Sequence, residues 1–136
     1  MRQEWKQHAL GEEENNMRKI IEVPYIDQSV SYPTGCESVS ATMLLQYLGY
    51  EITVDEFIRN YVTCVPMQER DGQMYGPDPR KAFCGSPYDK DSFGCYAPVI
   101  CEALQKAVGD QYTVVDETGT SMQTLIEHYI YRDMPV

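Results

Sequence analysis

Apolar side chains recur at three- and four-residue spacing in four stretches of this chain. Val39, Met43, Leu44, Tyr47 and Leu48 form the first stripe, the pattern of a half-buried helix. Cys36 falls in its first turn, and Gly49 is placed to end it. Thr53-Val54-Asp55-Glu56 spells a capping box. It predicts a second helix to about Tyr61, with Phe57, Ile58 and Tyr61 on the buried face. Ala97-Pro98 opens a third helix, with Pro98 in the first turn, where an N–H is not needed. Val99, Ala103, Leu104, Ala107 and Val108 make its stripe, and Gly109 stops it. Thr120-Ser121-Met122-Gln123 caps a fourth, packed by Met122, Leu125, Ile126, Tyr129 and Ile130.

Strand-type residues gather in two places. Met17 to Ile26 is β-rich, with Pro24 suited to an edge or a bulge. Gln111 to Asp116 reads as a short strand. Ser31, Pro33, Thr34 and Gly35 make a turn of the segment from Asp27. Residues 63–95 are broken by Pro66, Gly72, Gly76, Pro77, Pro79, Gly85, Pro87 and Gly94 and read as one long loop, a type that is usually functional or mobile. The mixture predicts an α+β domain led by a helix that carries a cysteine. Residues 1–16 are polar and bury little. The expected division is a polar N-terminal extension over 1–19 and one domain over 20–136, with Met17 as an alternative start.

Composition narrows the partners. The 136 residues hold one domain. The net charge of −10 and pI of about 4.5 argue against nucleic acid and anionic membrane surfaces, both of which call for Lys and Arg clusters. No apolar run is long enough to span a membrane. The N-terminus has no apolar core of a secretory signal, so the chain as given is expected to be cytoplasmic; a different true start would allow a secreted or cell-surface protein. The five cysteines, Cys36, Cys64, Cys84, Cys95 and Cys101, lie 28, 20, 11 and 6 positions apart. That spacing fits no zinc signature, and scattered structural thiols are the expectation.

Cys36 is the best candidate for chemistry. A thiolate is stabilised at a helix N-terminus, where free N–H groups present partial positive charge. Thr34-Gly35 leaves the backbone bare for an approaching substrate carbonyl. Gln28, eight residues upstream, carries an amide that suits an oxyanion donor. Glu37 favours the helix N-terminus but raises the thiol pKa where it stands close. Adjacent helix positions point in different directions, so its effect is expected to be modest.

Two blocks, Val23-Pro24-Tyr25-Ile26-Asp27-Gln28 and Tyr32-Pro33-Thr34-Gly35-Cys36-Glu37-Ser38-Val39-Ser40-Ala41-Thr42-Met43-Leu44-Leu45, resemble the start of a peptidase C-thirty-nine-like domain. That family is a bacterial branch of the papain-like cysteine peptidases, related to the bacteriocin-leader peptidases. Asp78-Pro79, Phe83, Gly85, Gly94 to Ile100 and Met134-Pro135-Val136 are similar too. The resemblance implies a papain-like α+β fold, with Cys36 as nucleophile, Gln28 as oxyanion-hole donor, a peptide or protein substrate and no cofactor or metal. It also implies a later strand that carries a histidine base and its Asp or Asn partner. His8 and His128 match no part of that motif: His8 lies in the polar leader, and His128 falls off the fourth apolar stripe as a partly solvated residue. The expectation is therefore the helical half of the domain with a few short strands, its C-terminal antiparallel sheet largely missing and the chain inactive as it stands.

Three functions compete. One is amide hydrolysis through a Cys36 acyl-enzyme. A second is a non-catalytic or degenerate domain that binds peptides in the old cleft. A third is a redox or metal protein built on the five cysteines, which predicts bound zinc or a defined disulfide. The remaining cysteines are read as structural, Cys95 as packing for the third helix.

Overall fold

The computed structural model describes residues 18–136. Most of the polar leader, with His8 and Met17, lies outside the described residues. The described residues form two compact units, one of 23–119 and one of 18–22 with 120–136.

The larger unit is built around α1 (Cys36–Tyr47). This helix is buried on two sides. Ala41 and Leu45 enter a cluster with Phe57, Val62, Phe83, Cys95, Val99 and Ala103. Val39 joins Val54 and Ile58 in a second cluster. Its fully buried positions are Ser38, Val39, Ala41, Thr42 and Leu45, while Met43, Leu44, Tyr47 and Leu48 are only half-buried. The expected single stripe is thus shifted, because a helix packed from two directions buries small residues that let its neighbours close in. Thr42 is satisfied there by donating to the Ser38 carbonyl at 2.8 Å.

The second helix, α2 (Val54–Tyr61), starts as the capping box requires. Thr53 Oγ1 accepts from the Glu56 N–H at 3.2 Å, and Glu56 Oε2 accepts from the Thr53 N–H at 2.8 Å. Phe57 and Ile58 are buried, and Tyr61 is half-buried.

Residues 63–95 are not one loop. β1 (Cys64–Val65) pairs in parallel with β4 (Phe83–Cys84), and an antiparallel bridge sets Gly94 against Cys84. Between them β2 (Gln68–Arg70) and β3 (Gln73–Tyr75) form an antiparallel hairpin. Its turn is Asp71-Gly72, with φ of +52° and +76°, the doubly left-handed geometry that matches strand twist. The Asp-Gly pair was a readable hairpin signal among the many breakers.

The third helix, α3 (Ala97–Val108), has Pro98 in its first turn and ends at Gly109, whose φ is +58°. The strand expected at 111–116 is not formed. Instead the Gln105 side chain of α3 stands in for a neighbouring strand. It donates to the carbonyls of Tyr112 at 2.9 Å and Gly109 at 2.8 Å, and accepts from the Val114 N–H at 3.0 Å. The strand expected over 17–26 is likewise not formed in its described part. A strand needs a backbone partner, and the Ile26 N–H turns instead to the Met43 thioether at 3.3 Å.

In the smaller unit, α4 (Met122–His128) is capped by Ser121, which accepts from the Thr124 N–H at 3.2 Å. A 3-10 turn (Ile130–Arg132) follows and closes at Asp133, in the left-handed region. α4 buries none of its residues fully: Leu125 and Ile126 are half-buried, and Met122 is 71% exposed. Lys19 pairs with Asp133 at 2.6 Å and donates to the Tyr131 carbonyl at 3.3 Å. His128 is exposed, as its place off the apolar stripe implied. Among the described residues no helix is long and apolar enough to cross a membrane.

Candidate functional site

Cys36 is the first residue of α1, and its side chain is exposed. The turn ahead of it is tightly tied. The Tyr32 N–H donates to the Gln28 carbonyl at 2.9 Å, and the Gly35 N–H donates to the Tyr32 carbonyl at 3.0 Å. Gln28 Nε2 donates to that same Tyr32 carbonyl at 3.3 Å. Gln28 and Cys36 thus flank one folded turn, and the Gln28 amide is bonded inside it.

Gly35 is also a packing position. It is buried. A Cβ there would meet Tyr32 Cβ at 2.9 Å and Pro87 Cβ at 3.3 Å. The missing side chain makes room for Pro87 and the turn itself. Thr34 fastens the same segment: its hydroxyl reaches the Ser86 carbonyl at 3.1 Å and the Asp89 carbonyl at 2.8 Å. From the other side, Tyr32 and Tyr88 both donate to Asp55 Oδ1, at 3.0 and 2.8 Å, with their rings 5.6 Å apart. Sequence reasoning missed these ties, which join positions 23 to 55 residues apart.

Glu37 is the second departure. Its carboxylate was expected to point away from the thiol. It folds back instead: Oε2 accepts from Cys36 Sγ at 3.1 Å, and Oε1 accepts from the Cys95 backbone N–H at 3.3 Å. Unpaired N–H groups draw a carboxylate to a helix start, and a Glu side chain is long enough to span the two. Gly94 is shaped by this approach. Its φ is +103°, and a Cβ on it would stand 2.9 Å from Glu37 Oε1.

The electrostatics follow. Although Cys36 is open to solvent, its thiol is pushed up from its ordinary value, first by partial loss of water on its protein side, then by the hydrogen bond to Glu37 and the Glu37 charge. The backbone N–H groups of Glu37 and Cys36 pull the other way and are outweighed. The stabilised thiolate expected at a helix start is therefore not the resting state. Cys95 is buried, and its thiol is pushed up to about 12 by burial first, then by Glu37, Cys64, Cys84 and Cys36. Burial also raises Cys64, Cys84 and Cys101. All five cysteines are unpaired thiols. Cys84 Sγ lies 3.2 Å from the Pro77 carbonyl and accounts for itself as a structural thiol. Among the described residues no three His, Cys, Asp or Glu side chains converge as a cation cage. Beside Cys95, Tyr96 is half exposed, edge-on to Phe93 and beneath the Arg80 guanidinium at 5.5 Å.

The Peptidase_C39 like family matches residues 20–136. The chain belongs to that family. It is 32% identical over 93 residues to the uncharacterized protein YvpB of Bacillus subtilis (strain 168), a match that takes in 68% of this chain and 35% of that one. It is also similar to the crystal structure of a Bacillus anthracis protein that carries the name C39-like peptidase: the TM-score is 0.62 at 25% identity, over 79% of this chain and 52% of that one. The α+β, papain-like fold expected from the resemblance is the fold of this neighbour. The chain spans about a third of the length of its curated relative and about half of the solved one.

Proposed function

We propose that this chain carries the nucleophile half of a thiol-dependent peptidase site, which cleaves amide bonds in a peptide or protein through a Cys36 acyl-enzyme. The observation that carries the reading is the exposed Cys36 thiol on the first residue of a helix buried on two sides. A papain-like nucleophile needs such a rigid mount and open access. In the reaction Cys36 Sγ attacks the carbonyl carbon, and the thiol proton passes through a base to the leaving amine. Water then releases the acyl group. Gln28 serves as oxyanion donor once substrate draws its amide from the Tyr32 carbonyl. The Cys36 N–H supplies the companion donor.

The scheme needs a general base, and the partner the Cys36 thiol has among the described residues is Glu37, a carboxylate that holds it neutral. We therefore infer that the base comes from a histidine outside the site as described, and that the 136 residues alone turn over no peptide. The test assays this chain, and any longer form that its gene encodes, on a quenched-fluorescent peptide mixture. A form that holds the histidine base hydrolyses it, and Cys36→Ala lowers that rate on the order of a thousandfold or more. Hydrolysis that survives Cys36→Ala sinks the nucleophile assignment.

A second reading draws on the two hydrogen bonds of the resting site. A thiol donated to Glu37 and an amide donated to Tyr32 suit a domain that binds peptides without cutting them. That reading gains if Cys36, in a form that holds the base, reacts with iodoacetamide no faster than Cys64 or Cys101 near neutral pH.

A further inference from the structure

The Glu37 carboxylate sits between two parts of the larger unit that are 58 residues apart in sequence. One oxygen takes the Cys36 thiol proton and the other takes the Cys95 backbone N–H. Gly94 is left bare where that carboxylate lies, with a left-handed backbone that glycine adopts at little cost. The arrangement is built from three positions rather than from a rotatable surface side chain. A carboxylate held this way between a backbone N–H and the thiol is fixed in place.

We propose that Glu37 is a positioning residue that locks Cys36 as a neutral thiol, and that the site becomes reactive only when a cationic partner displaces the Glu37–Cys36 bond. The inference rests on the reading of Cys36 as nucleophile and adds its regulation. The groups acting on the Cys36 thiol are its own burial, the Glu37 carboxylate and the backbone N–H groups of Cys36 and Glu37. On the far side of Glu37 stand Cys95 and, acting on it, Cys64 of β1 and Cys84 of β4; those thiols are neutral at rest because burial raises each of them. Asp78 adds negative charge at Cys84. Among the described residues the carboxylate is thus the one charged group that the thiol touches. An imidazolium brought to the thiol would pair with both the thiolate and Glu37, and so turn the lock into a second anchor for the base.

The test needs no turnover, so it separates from the peptidase reading. Iodoacetamide alkylation of each cysteine is followed by mass spectrometry from about pH 6 to pH 10 in the wild-type chain, Glu37→Gln and Glu37→Ala. In alkylation the thiolate displaces iodide and the thiol proton goes to solvent. Glu37→Gln keeps an oxygen for the Cys95 N–H and removes the charge. Its Cys36 profile moves to lower pH by about one pH unit. A tenfold gain in thiolate is partly offset by weaker nucleophilicity, which leaves a rate gain of about threefold at pH 7.5. Glu37→Ala moves the profile the same way. An unmoved profile in Glu37→Gln overturns the proposal. Should that variant not fold, wild-type protein decides alone: a Cys36 midpoint at or below about 8.5, the value for a free thiol, overturns the lock, and a higher midpoint that falls when methylguanidinium, a cation that stays charged at that pH, is added supports it.

Discussion

The Tyr32 hydroxyl donates to Asp55 Oδ1 at 3.0 Å and so joins the turn ahead of Cys36 to the first turn of α2. Tyr88 reaches the same oxygen at 2.8 Å. Asp55 is held below the usual carboxylate range, first by the Tyr88 bond and then by the Tyr32 bond. A depressed carboxyl contributes stability that is complete above its unfolded value, about 3.9, and is lost as pH falls through the folded one. Tyr88→Phe should therefore lower the urea midpoint near neutrality, and the gap to wild type should close in acid below about pH 3.9. Tyr32 and Tyr88 are themselves raised, by burial first and by Asp55 next. Their contribution is complete below about pH 10 and fades as pH climbs through the raised values. A gap of constant size from neutral to acid pH would show that Tyr88 acts through ring packing instead.

Gly94→Ala tests the space that Glu37 occupies. The φ of +103° strains any L side chain, and a Cβ would press on Glu37 Oε1 at 2.9 Å. We expect a loss of about 2 kcal/mol in equilibrium urea denaturation. Gly49→Ala is the control: its φ is +94°, with nothing within 4 Å of the added carbon, and about 1 kcal/mol is expected. Equal losses would mean that backbone strain alone explains Gly94.

Gln105 replaces a strand partner for residues 109–114, so its removal should loosen that segment and little else. Gln105→Ala deletes three hydrogen bonds to backbone groups. The expected cost is about 1–2 kcal/mol, since water takes over part of the pairing. The Val114 amide should exchange at least tenfold faster, while amides within α1 exchange as before. Unchanged Val114 exchange would show that the segment is held by other contacts.

What the sequence made legible was local chemistry. Thr53 and Glu56 stand three residues apart, and their spacing alone states the capping box that forms. The same holds for Pro98 and Gly109 at the ends of α3. Asp71-Gly72 was equally local and was obscured by the breakers around it. The family blocks around Cys36 pointed to the right fold because they are matched residue by residue, not because a pattern derived it. Long-range choices were not legible. Nothing in Gln111–Asp116 tells that a side chain of α3 will satisfy its backbone. Nothing in Cys36-Glu37 tells that the carboxylate will find the N–H of Cys95, because that depends on where the bridge between Cys84 and Gly94 places the next residue.

Cys95 is the last thiol expected to react, and its substitution the least expected to disturb Cys36. With its value pushed up to about 12, roughly one molecule in ten thousand carries the thiolate at pH 8. Cys64 is exposed. Native protein treated with iodoacetamide near pH 8 should therefore be modified at Cys64 while Cys95 stays intact until urea is added. Cys95 serves Glu37 through its backbone N–H, which Cys95→Ala retains. A neutral thiol also exerts no net charge on Cys36, so the Cys36 alkylation profile of Cys95→Ala should keep its midpoint and its rates within about twofold. A clear drop of that midpoint would show that the Cys95 side chain, rather than the Glu37 carboxylate it helps to anchor, controls the reactivity of Cys36.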